Sequence, residues 1–334
     1  MRKALPGLLV GVTASLLLAA GTPDAARAQT PPPWPAAKPI SVIVPFAAGG
    51  AVDYAARMVS TRLPERLGQA VVIDNVAGAG GVVGTAKAAR ATPDGYTLLV
   101  APDSTIVIAP LVTPDAVKYD PLNDLIPVGL INITPLILTA TTRLPANNIA
   151  ELVRYARANP GKLNYASPGA GNLLHVAMEA LRQQAGINIV HVPYKATPQL
   201  VSDLIGGQVE LALLVPSTGL PHIKTGKLKA IGLTTNERLS AAPEITPLSD
   251  SPELKGFFVT TSIGLFVPAR TPQAIIDRLN REMNAILASP EVRKPFEEQA
   301  ATVGKGSGAD YAEFLRKELA RNAVVVKTAN IKGE

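Results

Sequence analysis

Apolar positions along this chain follow two alternating periods. Short β-branched runs such as residues 40–44 and 70–74 have the composition of buried strands. The stretch after the first run places Val52, Ala55 and Val59 at the three-to-four-residue spacing of an amphipathic helix. This alternation predicts an α/β protein with mostly parallel sheets, because a helix between two strands returns the chain to the same edge of the sheet. Further strands are predicted at residues 96–101, 163–166, 187–192, 209–215, 228–234 and 263–267, and further helices at 82–91, 148–158, 173–184, 198–205, 272–288 and 309–326.

The turn between the first strand and its helix, residues 45–50, has the sequence Pro-Phe-Ala-Ala-Gly-Gly. Glycines at such a turn allow the backbone to approach a ligand closely. The first N–H groups of the helix have no intrahelical acceptor and lie at the positive end of the helix dipole, which suits an anion. Since the turn contains no nucleophile beside a base, the sequence indicates binding rather than catalysis. Asp53, in the first helical turn, is open to two interpretations: a cap for free N–H groups, or a ligand contact.

A second glycine turn, residues 167–172, has the sequence Ser-Pro-Gly-Ala-Gly-Asn and also lies between a predicted strand and a helix. Ligands of open α/β sheets bind outside the carboxyl ends of the strands. Two such turns therefore predict two lobes that hold one ligand between them. The apolar stretch 126–142, interrupted by two prolines, is predicted to pass from one lobe to the other. Ser104, just after a strand, is expected either to line the cleft or to cap a turn.

The first 28 residues have the pattern of a secretory signal peptide. Arg2 and Lys3 precede an apolar run over residues 5–20, and Ala-Arg-Ala at 26–28 forms a small-residue cleavage site. The proline-rich residues 29–37 are predicted to be an extended leader without a core to join. The mature protein is therefore expected in the periplasm, soluble and without a lipid anchor, since no cysteine follows the cleavage site.

Composition excludes several classes of function. The chain has no cysteine, which removes disulfides, thiolate catalysis and thiolate metal sites. The net charge of +6 is mild, and without long basic runs it does not favour nucleic acid as a partner. The histidines lack metal-ligand spacing, and no cofactor is expected. Glycines 78–84 lack the spacing of a dinucleotide fingerprint, so close helix packing is the preferred interpretation. His175 and Glu179, one helical turn apart, are interpreted as an ordinary polar pair or as a pair near the ligand.

Several segments in the same order resemble one family, the periplasmic solute-binding receptors of tripartite tricarboxylate transporters (Bug-type receptors). The resemblance spans nearly all of the chain after the signal peptide. The matching segments are residues 44–53 (VPFAAGGAVD), 74–84 (DNVAGAGGVVG), 92–98 (TPDGYTL), 159–169 (NPGKLNYASPG), 192–195 (VPYK), 203–209 (DLIGGQV) and 226–230 (GKLKA).

This resemblance implies a two-lobed, hinged type II periplasmic-binding-protein fold. We expect lobe 1 to comprise residues 38–138 and 259–334, and lobe 2 residues 139–258. The family's function implies a monomer that captures a small organic carboxylate and delivers it to the permease subunits of the transporter, and that is not an enzyme. The binding residues carried over or suggested by position are Phe46, Ala47, Ala48, Gly49, Gly50, Asp53, Ser104, Ser167, Gly169, Ala170, Gly171, Asn172 and His175.

Three departures from the family's pattern bear on the ligand. Ala51-Val52 stands where a serine or threonine often precedes the aspartate, Val215-Pro216 replaces a polar position, and a frequent tryptophan is absent around Thr261-Ser262. These changes predict a less polar pocket wall and leave a more apolar monocarboxylate open beside the family's di- and tricarboxylates. A carboxylate sensor for a membrane signalling protein is an alternative function. An exported enzyme using Ser167 or His175 is another, although the chain has no G-x-S-x-G sequence.

Overall fold

The computed structural model describes residues 33–333, which form two β-sheets flanked by helices. The first sheet has the strand order β11-β4-β10-β3-β1-β2, and the second has the order β7-β6-β8-β5-β9. Both sheets belong to one compact unit of the chain. The strands are β1 (Ile40–Val44), β2 (Val71–Asn75), β3 (Thr97–Pro102), β4 (Leu125–Pro135), β5 (Ile137–Thr141), β6 (Asn164–Ser167), β7 (Val190–Pro193), β8 (Leu211–Leu214), β9 (Leu228–Leu233), β10 (Thr260–Pro268) and β11 (Thr302–Val303).

Both sheets are mixed, which corrects the expectation of mostly parallel pairing. β1 is parallel to β2 and β3, and β6 is parallel to β7 and β8. β10 runs antiparallel to β3 and β4, β11 to β4, and β5 to β8 and β9. Most helix-connected strands are thus parallel as predicted, such as β1 with β2 and β6 with β7, whereas β5 and β6 run in opposite directions although α5 connects them. The antiparallel pairs arise because β5 and β10 enter their sheets from the neighbouring sheet, without a crossover helix on their own sheet.

The helices begin and end at recognisable signals. Asn148 caps its helix by accepting from the Glu151 N–H, and Ser307 and Asp310 form a reciprocal capping box. Three helices close the chain where two were predicted, because Ser289 and Pro290 start an additional helix. The helices are α1 (Ala51–Ser60), α2 (Leu63–Leu67), α3 (Val82–Ala89), α4 (Ala109–Val112), α5 (Ile149–Ala158), α6 (Leu173–Ala185), α7 (Thr197–Gly206), α8 (Pro216–Lys224), α9 (Gln273–Leu287), α10 (Pro290–Glu298) and α11 (Gly308–Ala329), and a π-helical turn covers Ser104–Ile108.

Two segments connect the sheets. β4 of the first sheet continues through Leu136 into β5 of the second, so residues 126–142 pass from one sheet to the other. The chain returns between β9 and β10. The Thr234 hydroxyl, fully buried, ties the two crossings together: it accepts from the Leu136 N–H at 2.9 Å and donates to the Val259 carbonyl at 2.5 Å. The lobe boundaries given above stay predictions.

The described part of the leader differs from the expected extended segment. Trp34 is partly buried against the core of the first sheet and donates its indole N–H to the Gly95 carbonyl at 3.1 Å. The Ala37 N–H bonds the Tyr96 hydroxyl at 3.0 Å. Trp34 reaches the core because the Pro93-Asp94-Gly95 turn lies beside this residue. The local sequence does not reveal that the two segments are neighbours.

The predicted signal peptide lies outside the described residues. Within residues 33–333, no helix has both the length and the apolar character needed to cross a membrane.

Candidate ligand-binding site

The first glycine loop, residues 45–50, leaves β1 at Val44 and starts α1 at Ala51. Gly49 has a φ of +88°, a left-handed conformation that favours glycine. A Cβ at Gly49 would find open space, so the glycine is required by backbone conformation and not by packing. Residues 47–50 are exposed, whereas Phe46 is partly buried. The loop therefore presents backbone to solvent at the start of a helix.

Asp53 fixes the shape of this loop from beneath. Its carboxylate, in a residue only 2% exposed, accepts from the Gly49 N–H at 2.9 Å, from Arg57 Nε at 2.8 Å and from Asn75 Nδ2 at 3.0 Å. The Arg57 hydrogen bond, with those from Gly49 and Asn75, lowers the pKa of Asp53 to about 2 against the opposing effect of burial. Asp53 thus bonds the loop itself and not the N–H groups of the first helical turn.

Asn75 is a site residue that sequence reasoning missed. Its amide donates to the Phe46 carbonyl and to Asp53, each at 3.0 Å, and so links the end of β2 to the loop after β1. The feature that could have identified Asn75 is its position at the carboxyl end of a strand that pairs with β1.

Glycines of the 78–84 segment allow close packing behind the first loop, as predicted. A Cβ at Gly81 would lie 2.5 Å from the Thr105 methyl and 2.9 Å from the Phe46 ring, and one at Gly84 would lie 2.8 Å from the Pro45 Cα. Phe46 therefore lies beside the π-helical turn Ser104–Ile108.

The second glycine loop, residues 167–172, leads from β6 into α6. Gly169 and Gly171 have φ angles of +109° and +71°. Asn172 caps α6 by accepting from the His175 N–H at 2.9 Å, and its amide donates to the Gly169 carbonyl at 2.8 Å. Ser167 is fully buried and donates to the same carbonyl at 2.9 Å. This loop is thus held by its own side chains.

Two histidines lie beneath the second loop. His175 Nδ1 accepts from the Gly171 N–H at 3.0 Å, and His191 Nε2 lies 2.7 Å from Ser167 Oγ. Their rings stack with centroids 3.7 Å apart. Burial lowers the pKa of His175, and burial together with the His175 charge lowers that of His191 to about 4. His191 was missed because only strand pairing places β7 beside Tyr165 and Ser167 of β6.

Glu179 does not pair with His175. It accepts from the Tyr165 hydroxyl at 2.6 Å and forms a bidentate ion pair with Arg182. Burial and the bond to Glu179 raise the pKa of Tyr165. The pair of His175 and Glu179 that the sequence suggested is thus replaced by the pair of Glu179 and Arg182, three residues apart. Glu179 also bonds Tyr165 of β6.

The first backbone N–H groups of α1 and α6, the helices that follow the two loops, have no hydrogen-bond acceptor within the described residues. Among the hydrogen bonds of residues 33–333, none satisfies the N–H groups of Ala51 and Val52 in α1, or those of Leu173 and Leu174 in α6. Free donors and the helix dipoles together favour an anion at each loop. This arrangement is suited to binding a small negatively charged group.

The π-helical turn after β3 and helix α6 share one hydrophobic core. Ile106 and Ile108 of the π-helical turn pack in one core cluster with Leu173 and Val176 of α6. The turn that follows β3 therefore shares a core with the helix after the second loop, while its Thr105 lies with the Phe46 ring beside Gly81.

The structure groups the predicted residues around two centres. Phe46, Ala47, Ala48, Gly49, Gly50 and Asp53 surround the first loop with Ser104 nearby, and Ser167, Gly169, Ala170, Gly171, Asn172 and His175 surround the second. Their contact with a ligand stays a prediction.

The two-sheet α/β architecture with a glycine loop in each part defines a two-lobed binding protein of the periplasmic type. A family model described as "Tripartite tricarboxylate transporter family receptor" matches residues 55–331. The chain belongs to this family, whose members are solute-binding receptors and not enzymes.

Three similar proteins illustrate the relationship. Protein BugT of Bordetella pertussis is 32% identical, covering 97% of this chain and 98% of its own. The structure "R. palustris Rpa4515 with adipate" is 30% identical with a TM-score of 0.75, covering 90% of this chain and 99% of its own. MatC from Rhodopseudomonas palustris with bound malate is 29% identical with a TM-score of 0.71, covering 86% and 99%.

Proposed function

We propose that this protein captures a small organic carboxylate between two lobes in the periplasm and delivers it to a tripartite tricarboxylate-type permease. The free N–H groups at both helix N-termini carry the proposal, because they offer an anion two sets of backbone donors. The adipate and malate bound to two similar proteins support a carboxylate as the ligand class.

The proposed lobes are residues 38–138 with 259–334, and residues 139–258. They are supported by the two sheets and by the two crossings that Thr234 joins. Crossings of this kind allow lobes to rotate about a few residues. In this proposal the protein acts as a monomer, the signal peptide of residues 1–28 is removed on export, and the residues of the two loops named above contact the ligand.

The binding function is tested by thermal shift and calorimetry of residues 29–334 with adipate, malate, citrate and benzoate. A ligand that binds only the folded state raises the melting temperature. We expect at least one acid to do so, with benzoate testing the less polar wall. If none binds, or if the purified protein converts the acid, the proposal is wrong.

A glycine pair provides a matched control. Gly49→Ala and Gly226→Ala both place a side chain at positive φ, at +88° and +68°, with open space around the added Cβ. Both variants should lose similar stability, about 1 kcal/mol. Only Gly49→Ala should weaken the binding of whichever acid shifts the wild type, by roughly tenfold if one backbone hydrogen bond to the acid is lost. Equal affinities would place the ligand elsewhere.

Permease delivery is tested separately in a bacterial host that expresses the receptor with the membrane subunits of a tripartite tricarboxylate-type transporter. Uptake of the labelled acid should require the receptor. Binding without receptor-dependent uptake would favour the sensor alternative.

A further inference from the structure

The second glycine loop is held by two imidazoles that the proposed function does not use. His175 is only 8% exposed and sits on the first turn of α6. Its Nδ1 accepts from the Gly171 N–H at 3.0 Å, so this nitrogen carries no proton. The backbone N–H of Gly171 is thus directed towards His175 and is not free for a ligand.

His191 holds the other side of the same loop. Ser167 has one hydroxyl proton, which it donates to the Gly169 carbonyl at 2.9 Å. Its oxygen therefore accepts from His191 Nε2–H, 2.7 Å away. The two histidines consequently fix two positions of one turn: Gly171 directly, and Gly169 through Ser167.

Stacking couples the two rings. Their centroids lie 3.7 Å apart with planes only 12° from parallel, and the Tyr165 ring stacks on the other face of His191 at 5.0 Å. Two imidazolium ions at this distance repel each other in a partly buried site. The contacts therefore favour a pair of neutral rings.

The charged groups around the two histidines change the preference for neutral rings only weakly. Glu179 on α6 favours protonation of both imidazoles, but Arg182 neutralises it through a bidentate ion pair. From β6, Tyr165 is kept protonated by burial and by its bond to Glu179, which raise the pKa of its hydroxyl. The C-terminal segment packs on Gly171 through the backbone of Lys332 and Gly333. Burial is the dominant influence and lowers the pKa of both histidines.

We infer that His175 and His191 are positioning residues that hold the second glycine loop in its binding conformation, and that the hold on Gly171 requires a neutral His175. Protonation of His175 at Nδ1 turns the acceptor for Gly171 into a donor and so releases the loop at Gly171. Protonation of His191 keeps its Nε2–H bond to Ser167 and opposes a second charge on the stacked His175 ring. Carboxylate affinity consequently falls on acidification; this last step rests on the proposed function.

The first test uses the protein without ligand. Imidazole proton signals and the Gly171 amide are followed by NMR from pH 8 to pH 4 in residues 29–334. The chain has three histidines, and His222, on α8 away from the loop, serves as the internal reference. We expect the pKa values of His175 and His191 to lie below the ordinary value for histidine and the Gly171 amide to shift with the titration of His175. A Gly171 amide that follows no histidine would overturn the inference whatever the protein binds.

The second test uses variants that keep the hydrogen bonds but cannot be protonated. Asn places its amide oxygen near the position of His Nδ1, and Gln places its amide group near His Nε2. His175→Asn/His191→Gln therefore keeps an acceptor for Gly171 and a donor for Ser167. His175→Leu removes the acceptor, and His222→Asn is the matched control.

Adipate affinity is measured by calorimetry at pH 7.5 and pH 4, with malate as a second probe. Protonation of the acid itself affects every variant equally, so the ratio between variants isolates the protein. Between these values wild type and His222→Asn should lose at least about twofold more affinity than the double variant, which is the loss that half protonation of the Gly171 acceptor gives. His175→Leu should bind weakly at both values, and partial recovery in the double variant separates positioning from a general structural role.

The two proposals fail in different ways. If neither adipate nor malate binds wild type at pH 7.5, the carboxylate function fails for these acids and the NMR titration alone decides the positioning role. If adipate binds and the double variant shows the same loss on acidification as wild type, the carboxylate function stands and the histidine inference is wrong.

Discussion

Polar side chains near both glycine loops bond to the loop backbone and leave the outward N–H groups free. Asp53 and Asn75 fix the first loop, while Ser167, Asn172 and His175 fix the second. A buried polar group that forms all of its hydrogen bonds lowers the stability little. When one partner is removed, the group left without a hydrogen bond destabilises the protein by its full desolvation free energy. Each of these residues therefore determines the conformation of a loop, whether or not it touches a ligand.

Asp53→Asn tests this at the first loop. The Asp53 carboxylate accepts hydrogen bonds from three donors, whereas the asparagine amide has only one acceptor oxygen. The variant should therefore lose about 1–3 kcal/mol of stability. Because the folded-state pKa is lowered to about 2, the stability that Asp53 provides is complete above about pH 4 and is lost as the pH falls towards 2.

Chemical denaturation at pH 7 and at pH 2.5 measures the Asp53 effect. The difference between variant and wild type should be smaller at the lower pH. Exposed Asp115→Asn is the control and should change neither value. A stable Asp53→Asn protein at pH 7 would show that the loop does not depend on this carboxylate.

Helix starts and strand crossings, at the scale of the element, place the loops. α1 and α6 each begin directly after a glycine turn, so their N-termini face the same side as the carboxyl ends of β1 and β6. The crossings at Leu136 and at residues 234–259 are the connections that a rotation of the lobes would bend. Thr234 lies at the point where these crossings meet.

Thr234→Val removes the hydroxyl that joins the crossings and leaves the buried Leu136 N–H and Val259 carbonyl without that partner. We expect a loss of about 1–3 kcal/mol, measured by thermal or chemical unfolding. Thr139→Val is the matched control: it is equally buried, but its hydroxyl makes one bond, to the Ala212 carbonyl within the second sheet. A larger loss in Thr139→Val than in Thr234→Val would contradict the role of Thr234.

A buried acidic group connects distant parts of the chain at the scale of the whole molecule. Asp103, after β3, accepts from the Ser262 N–H of β10 at 2.7 Å, and the Ser262 hydroxyl lies 3.2 Å from Tyr311 of α11. Burial, with a contribution from the Glu318 charge, raises the pKa of Asp103 to about 7 despite the bonds from Ser262. The folded protein thus favours the neutral acid at this position.

Asp103→Asn should raise the melting temperature at pH 8 and raise it less at pH 5. A folded-state pKa above the unfolded value gives stability that is complete below about pH 4 and is lost as the pH rises through 7. The neutral amide retains an acceptor for Ser262 and avoids the buried charge.

Melting curves of Asp103→Asn and wild type from pH 5 to pH 8.5 measure this difference. The histidine pair acts in the opposite direction, since its lowered pKa values remove stability as the pH falls from about 6.5 towards 4. An Asp103→Asn variant that is less stable than wild type at pH 8 would show that the ionised carboxylate is favoured instead.

The sequence by itself determined the alternation of strands and helices, both glycine turns, the crossing segment and the family. These are local or ordered patterns: period, turn residues and a series of segments over most of the chain. The same information could not give the antiparallel pairing of β5 and β10, the docking of Trp34 beside Gly95, or the additional helix at Pro290.

Only the tertiary structure decided what holds the two glycine turns in shape. Asn75 reaches Phe46 over 29 positions and His191 reaches Ser167 over 24, through the pairing of β1 with β2 and of β6 with β7. Such contacts depend on which strands become neighbours, and no local propensity encodes that choice. The sequence determined where backbone donors are offered to an anion, and the packing beneath them decided how each loop is fixed and how the second responds to protons.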